Sequence, residues 1–237
     1  MLIAIPSKGR AGKTKSDGYI DSAVMFVPRL EADAYRRVSS CEVREVPDKV
    51  MGITATRNWI LDNADDEWVV FLDDDLKAAG WVELHEESVT HQRIPAVEMI
   101  GEWVKLFDLA GQLGLKIWGL ATQSAARSVY PWRPFLFHTY VTASCMGIVN
   151  SDLRFDESFA VKEDYELCLR CIRDYGGVLG ARYLYWENEH WTGKGGCTSY
   201  RTQSMEENAT MRLMSMYPGL IRRVTRGGSR YSIELDF

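Results

Sequence analysis

The run DEWVVFLDDDLK, residues 66–77, constrains the fold of this chain more than any other stretch. A hydrophobic strand, Trp68 to Leu72, stops abruptly at Asp73, Asp74 and Asp75. Adjacent carboxylates repel one another, and that cost is tolerated where a cation or hydrogen-bond donors neutralise them. Oxygen ligands at this density suit Mg²⁺ or Mn²⁺ better than zinc. A plain polar turn after a strand is the alternative, and the apolar run before the triplet weighs against it.

Around that run, strand-like and helix-like segments alternate. LIAI (2–5), AVMFV (23–27) and EVREV (42–46) read as strands. Ile53, Ile60, Leu61 and Ala64 fall at helical spacing, and 96–114 reads as a second amphipathic helix that ends at Gly111 or Gly114. Further on, KIWGLA, FLFHTYV and CMGIV are strand-like. A helix is expected from Glu163 to about Tyr175, closed by Gly176 and Gly177, with a loop over 186–202 and a last helix over about 204–216. This alternation implies an α/β fold with a mostly parallel central sheet flanked by helices. The 237 residues read as one domain, with 1–115 and 116–237 as its two halves.

The segment IPSKGRAGKT, residues 5–14, raises the question of a phosphate-binding P-loop. Gly12, Lys13 and Thr14 fit that pattern, but Ser7 stands where its first Gly belongs. A P-loop also needs a helix beginning at the Gly-Lys-Thr, with its amides aimed at the phosphates. Here Gly18 interrupts and the next strand begins near Ala23, which leaves no room for several helical turns. The segment reads instead as a basic loop at the carboxyl end of the first strand, where open α/β sheets bind ligands. A P-loop NTPase or kinase is left as the distant alternative.

Composition narrows the class. The hydrophobic share of 46% and charged share of 26% are those of an ordinary soluble protein. No apolar run approaches the ~18 residues of a membrane span. MLIAIP lacks the charged flank of a signal peptide, so a cytoplasmic enzyme without membrane contact or obligate protein partner is expected. The net charge of −5 argues against a general nucleic-acid binder, although Arg222, Arg223, Arg226 and Arg230 make the tail basic. Five scattered cysteines do not suggest a disulfide framework, and Cys168 with Cys171 reads as core packing.

A second acidic site lies in FDESFAVKEDYELCLRCIRDYGG. On a helix from Glu163, Leu167, Cys168, Cys171, Ile172 and Tyr175 share the apolar face that Asp164 heads, and Glu163, Glu166, Arg170 and Arg173 are expected on the exposed one. An Asp there can simply meet the helix N-terminus. A carboxylate at the mouth of a cleft is also what a general base needs.

In order and spacing, ATRN, VVFLDDD and SCMGIV…FDESF…KEDYELCLR resemble the GT-A glycosyltransferases of the inverting, family-two-like kind, over roughly residues 1–200. IAIPSKGRAGKTKS and NEHWTGKGGC look most like the TET-associated glycosyltransferases of bacteriophages, which are thought to glycosylate hydroxymethylated pyrimidines in phage DNA. The resemblance implies a GT-A, Rossmann-like fold, a UDP-sugar donor, a divalent Mn²⁺ or Mg²⁺ ion and 5-hydroxymethylcytosine DNA as partner. Ile5, Pro6, Ser7, Lys8 and Arg10 would line the nucleotide pocket beside Arg57 and Asn58. Asp73 and Asp75 match the DxD pair, with Asp74 between them on the donor, and both outer residues would serve the metal with His190. Lys194, Gly195 and Gly196 would close over the diphosphate. Asp164 matches the catalytic aspartate, and Trp132, Arg133, Glu163 and Trp191 are the acceptor candidates. The same chemistry on a protein, lipid or small-molecule hydroxyl is the alternative.

Overall fold

The computed structural model of the chain describes residues 1–85, 88–122, 133–188, 201–224 and 234–236. Its centre is a sheet in the order β3-β2-β1-β4-β9-β7-β10-β5-β6, with β8 paired to β10. The strands are β1 (Leu2–Pro6), β2 (Val24–Pro28), β3 (Glu42–Val46), β4 (Trp68–Leu72), β5 (Leu76–His85), β6 (Ser88–Arg93), β7 (Ile117–Thr122), β8 (Phe135–Leu136), β9 (Cys145–Val149) and β10 (Leu179–Asn188). The first four in this order are mutually parallel, as are β7 and β10. Strand β9 runs against both β4 and β7. A separate ribbon pairs β11 (Arg222–Val224) with β12 (Glu234–Asp236).

Alternation along each strand divides the core into two layers. On β1, Leu2 and Ala4 face one layer while Ile3 and Ile5 face the other. The first layer is closed by α3 (Ile53–Asp62) and α5 (Glu163–Tyr175), through Ile60, Leu61, Leu167 and Cys171. The second is closed by α4 (Ala96–Gln112), which buries Met99, Trp103, Leu106 and Phe107. Two short helices, α1 (Ser16–Tyr19) and α2 (Ala32–Arg36), add Ile20 and Tyr35 at its edge. Helix α6 (Gln203–Met216) packs on α5 through a smaller cluster that includes Phe159, Leu169, Leu213 and Tyr217.

Three segments depart from expectation. FLFHTYV contributes only the two residues of β8 to the sheet, because the chain bends at 137–139. The β5–β6 hairpin and β10 are strands without a strong apolar run: β5 carries Lys77 and Gly80, and β10 carries Gly180 and Arg182. Strand β10 reaches Asn188, so residues 186–188 are strand where a loop is expected, and 189–200 lie outside the described residues. Glu163 and Glu166 are buried, because α6 and the neighbouring loops cover the helix face that local periodicity leaves to solvent.

Close approach explains one small residue in CMGIV. A Cβ on Gly147 would stand 2.0 Å from Cε2 of Trp118, itself fully buried in the sheet. Gly147→Ala is therefore expected to cost about 1–3 kcal/mol through overpacking. Urea unfolding of the two proteins checks this, and an unchanged midpoint would contradict the packing.

Candidate active site

The triplet stands at the carboxyl end of β4, and its three carboxylates have three different environments. Asp74 is buried and committed to the loop that follows β1. Ser7 Oγ donates to its Oδ2 at 2.5 Å, and Arg10 Nη1 bonds its Oδ1. Burial pushes the Asp74 carboxyl upward, opposed by Ser7 and Arg10. The same loop is fastened to the triplet's backbone: Lys15 N donates to Asp74 O at 2.8 Å, and Ser16 Oγ to Asp73 O at 2.5 Å. Tyr35 of α2 completes the clasp, its hydroxyl 2.8 Å from Ser7 Oγ and accepting from Arg10 N at 2.9 Å.

This clasp disposes of the P-loop. The helix after Gly-Lys-Thr is four residues long, Lys13 is exposed, and the loop folds onto carboxylates instead of presenting its amides to a phosphate. Ser7 and Arg10 thus reach the site as expected, but they hold Asp74. Ile5 points into the core and Pro6 is buried within β1, so neither side chain lines a pocket. Lys8 is exposed beside the loop.

Asp73 turns the other way and is 37% exposed at its side chain. Ser144 Oγ donates to its Oδ2 at 2.5 Å, and Arg57 Nη2 approaches its Oδ1 at 3.5 Å. The antiparallel register sets Ser144 there: Leu72 lies opposite Cys145, and Asp73 N continues the ladder to Ser144 O at 3.0 Å.

Asp75 differs from both in keeping an acceptor without a donor. Its Oδ1 is buried and has no hydrogen-bond partner among the described residues. Burial first, then Asp73 and Asp74, push its carboxyl up to about 6, against Arg10 and a hydrogen bond from Asn188. An orphaned acceptor in a cluster of hard oxygen donors fits Mg²⁺ or Mn²⁺. Among the described residues no group of three or more His, Cys, Asp and Glu is placed to hold a metal ion, so the triplet by itself would supply only part of a coordination shell.

The raised value has a sign. An Asp at about 6 when folded, against 3.8 free, binds its proton more tightly in the folded chain. That stabilisation is complete below 3.8 and is lost as pH rises through about 6. Without metal, Asp75→Asn is expected to melt above the native protein at pH 7–8, with the advantage disappearing as pH approaches 4. Mn²⁺ should reverse the order by stabilising only the native protein. Thermal melts across pH, with and without Mn²⁺, check both halves, and equal melting of the metal-free proteins at pH 8 would overturn the assignment.

The second acidic site sits at the start of α5. Lys162, at φ 61°, is the one non-glycine with positive φ among the described residues, and it turns the chain into the helix. Its ammonium is buried against Glu206 of α6 at 3.1 Å. Asp164 follows, its Oδ1 accepting from Tyr165 N at 2.9 Å and its Oδ2 from the Tyr140 hydroxyl. Glu163 is buried and bound to Arg57 Nη1 at 2.9 Å. Burial first, then Asp164, push Glu163 upward, with Arg57 opposing.

Arg57 therefore joins the two acidic sites, one guanidinium nitrogen on Glu163 and the other toward Asp73 and Ala143 O. One helical step turns Asn58 away. It spends its amide on the FDESF loop, donating to Phe155 O at 3.0 Å and Glu157 Oε1 at 2.9 Å and accepting from Phe155 N at 2.8 Å. The side chain of Asn58 thus staples that loop to α3. Glu163, buried in its ion pair, does not offer its carboxylate to an acceptor. Arg133 is exposed on the approach to β8, and no contact joins it to the carboxylates among the described residues. Trp132, His190, Trp191, Lys194, Gly195 and Gly196 lie outside the described residues. The four described cysteines, Cys41, Cys145, Cys168 and Cys171, are buried, with Cys168 Sγ accepting from Val141 N at 3.3 Å.

Sequence reasoning missed Tyr35, Tyr140 and Ser144. Tyr35 carries no local signal, being 28 positions from Ser7. Tyr140, Thr142 and Ser144 recur at every second residue, an alternation legible once the segment is taken as extended.

No protein-family model and no curated protein matches the chain by sequence. Solved structures do match by shape. S. aureus TarS 1-349 in complex with UDP-GlcNAc superposes with a TM-score of 0.56 at 12% identity, over 92% of this chain and 66% of that one. The chain has the GT-A fold. The mannosyltransferase PcManGT from Pyrobaculum calidifontis, in complex with GDP-Man and Mn²⁺, gives a TM-score of 0.57 at 13% identity, over 91% of this chain and 63% of that one. Glucosyl-3-phosphoglycerate synthase from Mycobacterium tuberculosis, in complex with phosphoglyceric acid, gives 0.51 at 12% identity, over 91% and 80%. The chain thus spans just under two thirds of the TarS 1-349 and PcManGT chains it matches. Among the described residues no helix is long and apolar enough to cross a membrane.

Proposed function

We propose that the protein is a metal-dependent glycosyltransferase. It moves a sugar from a UDP-sugar to a hydroxyl group, with inversion at the anomeric carbon. The observation that carries this reading is one arginine reaching both acidic sites: Arg57 bonds Asp73 of the triplet at the end of β4 and Glu163, the neighbour of Asp164, at the start of α5. The GT-A fold supports it, as do neighbours whose structures hold UDP-GlcNAc and GDP-Man with Mn²⁺.

In this mechanism Asp73 and Asp75 would hold the divalent ion, which would offset charge that develops on the leaving diphosphate. Asp75 supplies the buried oxygen that lacks a partner. Asp74 stays with Ser7 and Arg10, keeping the β1 loop folded beside the donor. Asp164 takes the proton of the attacking hydroxyl from the face opposite the diphosphate. Both its oxygens already accept one donor, and a carboxylate has about four lone-pair sites, so capacity for that proton remains.

The acceptor we favour is the hydroxymethyl group of 5-hydroxymethylcytosine in DNA. The support is the resemblance of residues 3–16 to the phage enzymes, together with exposed Lys8 and Lys13 beside the site and the basic tail. The net charge of −5 makes such DNA contact weak and salt-sensitive. The test is mass spectrometry of nucleosides from 5-hydroxymethylcytosine DNA after incubation with the protein, Mn²⁺ and a panel of UDP-sugars. A hexose or N-acetylhexosamine gain on the modified base is expected. UDP release without that gain would retain the transferase and discard the DNA acceptor, and neither signal with any donor would reject the transferase.

A further inference from the structure

The segment 140–144, Tyr-Val-Thr-Ala-Ser, carries more than its place in the core requires. Val141 and Ala143 point inward and are buried, whereas Tyr140, Thr142 and Ser144 share the opposite, partly exposed side. These three hydroxyls run between the two acidic sites. At one end Ser144 Oγ donates to Asp73 Oδ2. At the other the Tyr140 hydroxyl donates to Asp164 Oδ2. Between them Thr142 Oγ1 donates to Ser144 Oγ at 3.2 Å, and the Thr142 hydroxyl also bears on the Tyr140 phenol.

The tyrosine is fixed from several sides. Its ring stacks on that of Tyr165, with centroids 4.0 Å apart and planes 16° from parallel. Cys168 of α5 bonds the next residue's backbone on both N and O, at 3.3 and 3.4 Å. The phenol is therefore locked in direction, and it points at a carboxylate oxygen that the local helix does not satisfy.

We propose that Tyr140 is a positioning residue for Asp164, aiming its carboxylate at the acceptor by donating to Oδ2. This rests on Asp164 being the base. A carboxylate that accepts such bonds keeps its charge to lower pH, and its rotation about the Cβ bond is arrested. Burial, then Asp164, raise the phenol well above its ordinary range, so Tyr140 keeps its proton and remains a donor throughout the working pH.

Among the described residues, the other charges about Asp164 are Glu163, paired with Arg57 of α3, and Lys162, paired with Glu206 of α6. Cys168, on the next turn of α5, is held neutral chiefly by burial. Tyr140→Phe alters none of these groups and preserves the stack on Tyr165.

The experiment compares kcat across pH, at saturating donor and Mn²⁺, for the native protein, Tyr140→Phe and Asp164→Asn. Tyr140→Phe is expected to lower kcat about 10- to 100-fold, the scale of one hydrogen bond to a charged group. It should also raise the acid limb by about one pH unit while leaving KM for the donor within about twofold, a combination that loosened packing alone does not produce. As a second variant, 3-fluorotyrosine at position 140 keeps the ring and hydroxyl but donates more strongly, and is expected to lower the acid limb. An unmoved limb in both variants, with Asp164→Asn inactive, overturns the proposal and leaves Asp164 as the base. An active Asp164→Asn overturns the base itself, and this proposal with it. If Tyr140→Phe fails to fold, the fluorotyrosine limb decides alone.

Discussion

Replacing Asp164 with Asn is expected to lower transfer by about 10²–10⁴-fold, the usual worth of a general base. The amide keeps the size of the side chain but cannot accept the acceptor's proton. At Oδ1 it can still accept from Tyr165 N, so the start of α5 should survive. Donor binding should also survive, because neither Asp73 nor Asp75 touches Asp164, and Arg57 remains on Glu163. The measurement is single-turnover transfer beside calorimetric binding of UDP with Mn²⁺. Loss of both would make Asp164 part of the donor site. Retention of both would move the base elsewhere, and the first candidate would then be Asp73, whose side chain is 37% exposed.

That prediction was within reach of the sequence because its signals are local. A strand that ends in three carboxylates and a helix with an acidic first turn are features of a few consecutive residues, and both occur where expected, at Trp68–Leu72 and Glu163–Tyr175. The division of labour within the triplet is not local. Asp74 is taken by Ser7 and Arg10 from 64 or more positions away, and only this leaves Asp73 and Asp75 for other work. The resemblance implies both Arg57 and Asn58 beside the nucleotide, yet one helical step separates a residue facing the carboxylates from one stapling the FDESF loop. Glu166 failed for a related reason. Local periodicity exposes it, but α6 brings Tyr217 to it at 2.8 Å, and a tertiary partner overrides the pattern. The β5–β6 hairpin and β10 escaped notice because their stability comes from cross-strand neighbours in a wide sheet and not from an apolar run of their own.

Arg57→Met is expected to destabilise the protein by about 3–5 kcal/mol, the range for removing one partner of a buried ion pair. The guanidinium side chain is 5% exposed and Glu163 12%, so the glutamate left behind has little water to replace its partner. Glu163 already lies above its ordinary value through burial and Asp164, and it would answer by taking up a proton. The loss should accordingly be smaller at pH 5 than at pH 8, since the sign follows from a carboxyl whose folded pKa is raised. The double variant Arg57→Met, Glu163→Met should recover much of the stability, because replacing a buried pair with apolar groups of similar volume is often neutral. It should not recover activity, since Asp73 would still lack its guanidinium neighbour and Ala143 O its donor. Urea unfolding at the two pH values, with transfer measured on the same samples, separates these effects. If the double variant is no more stable than the single, the ion pair is not the reason Arg57 is buried there. If it is as active as the native protein, Arg57 does not link the donor carboxylates to the base.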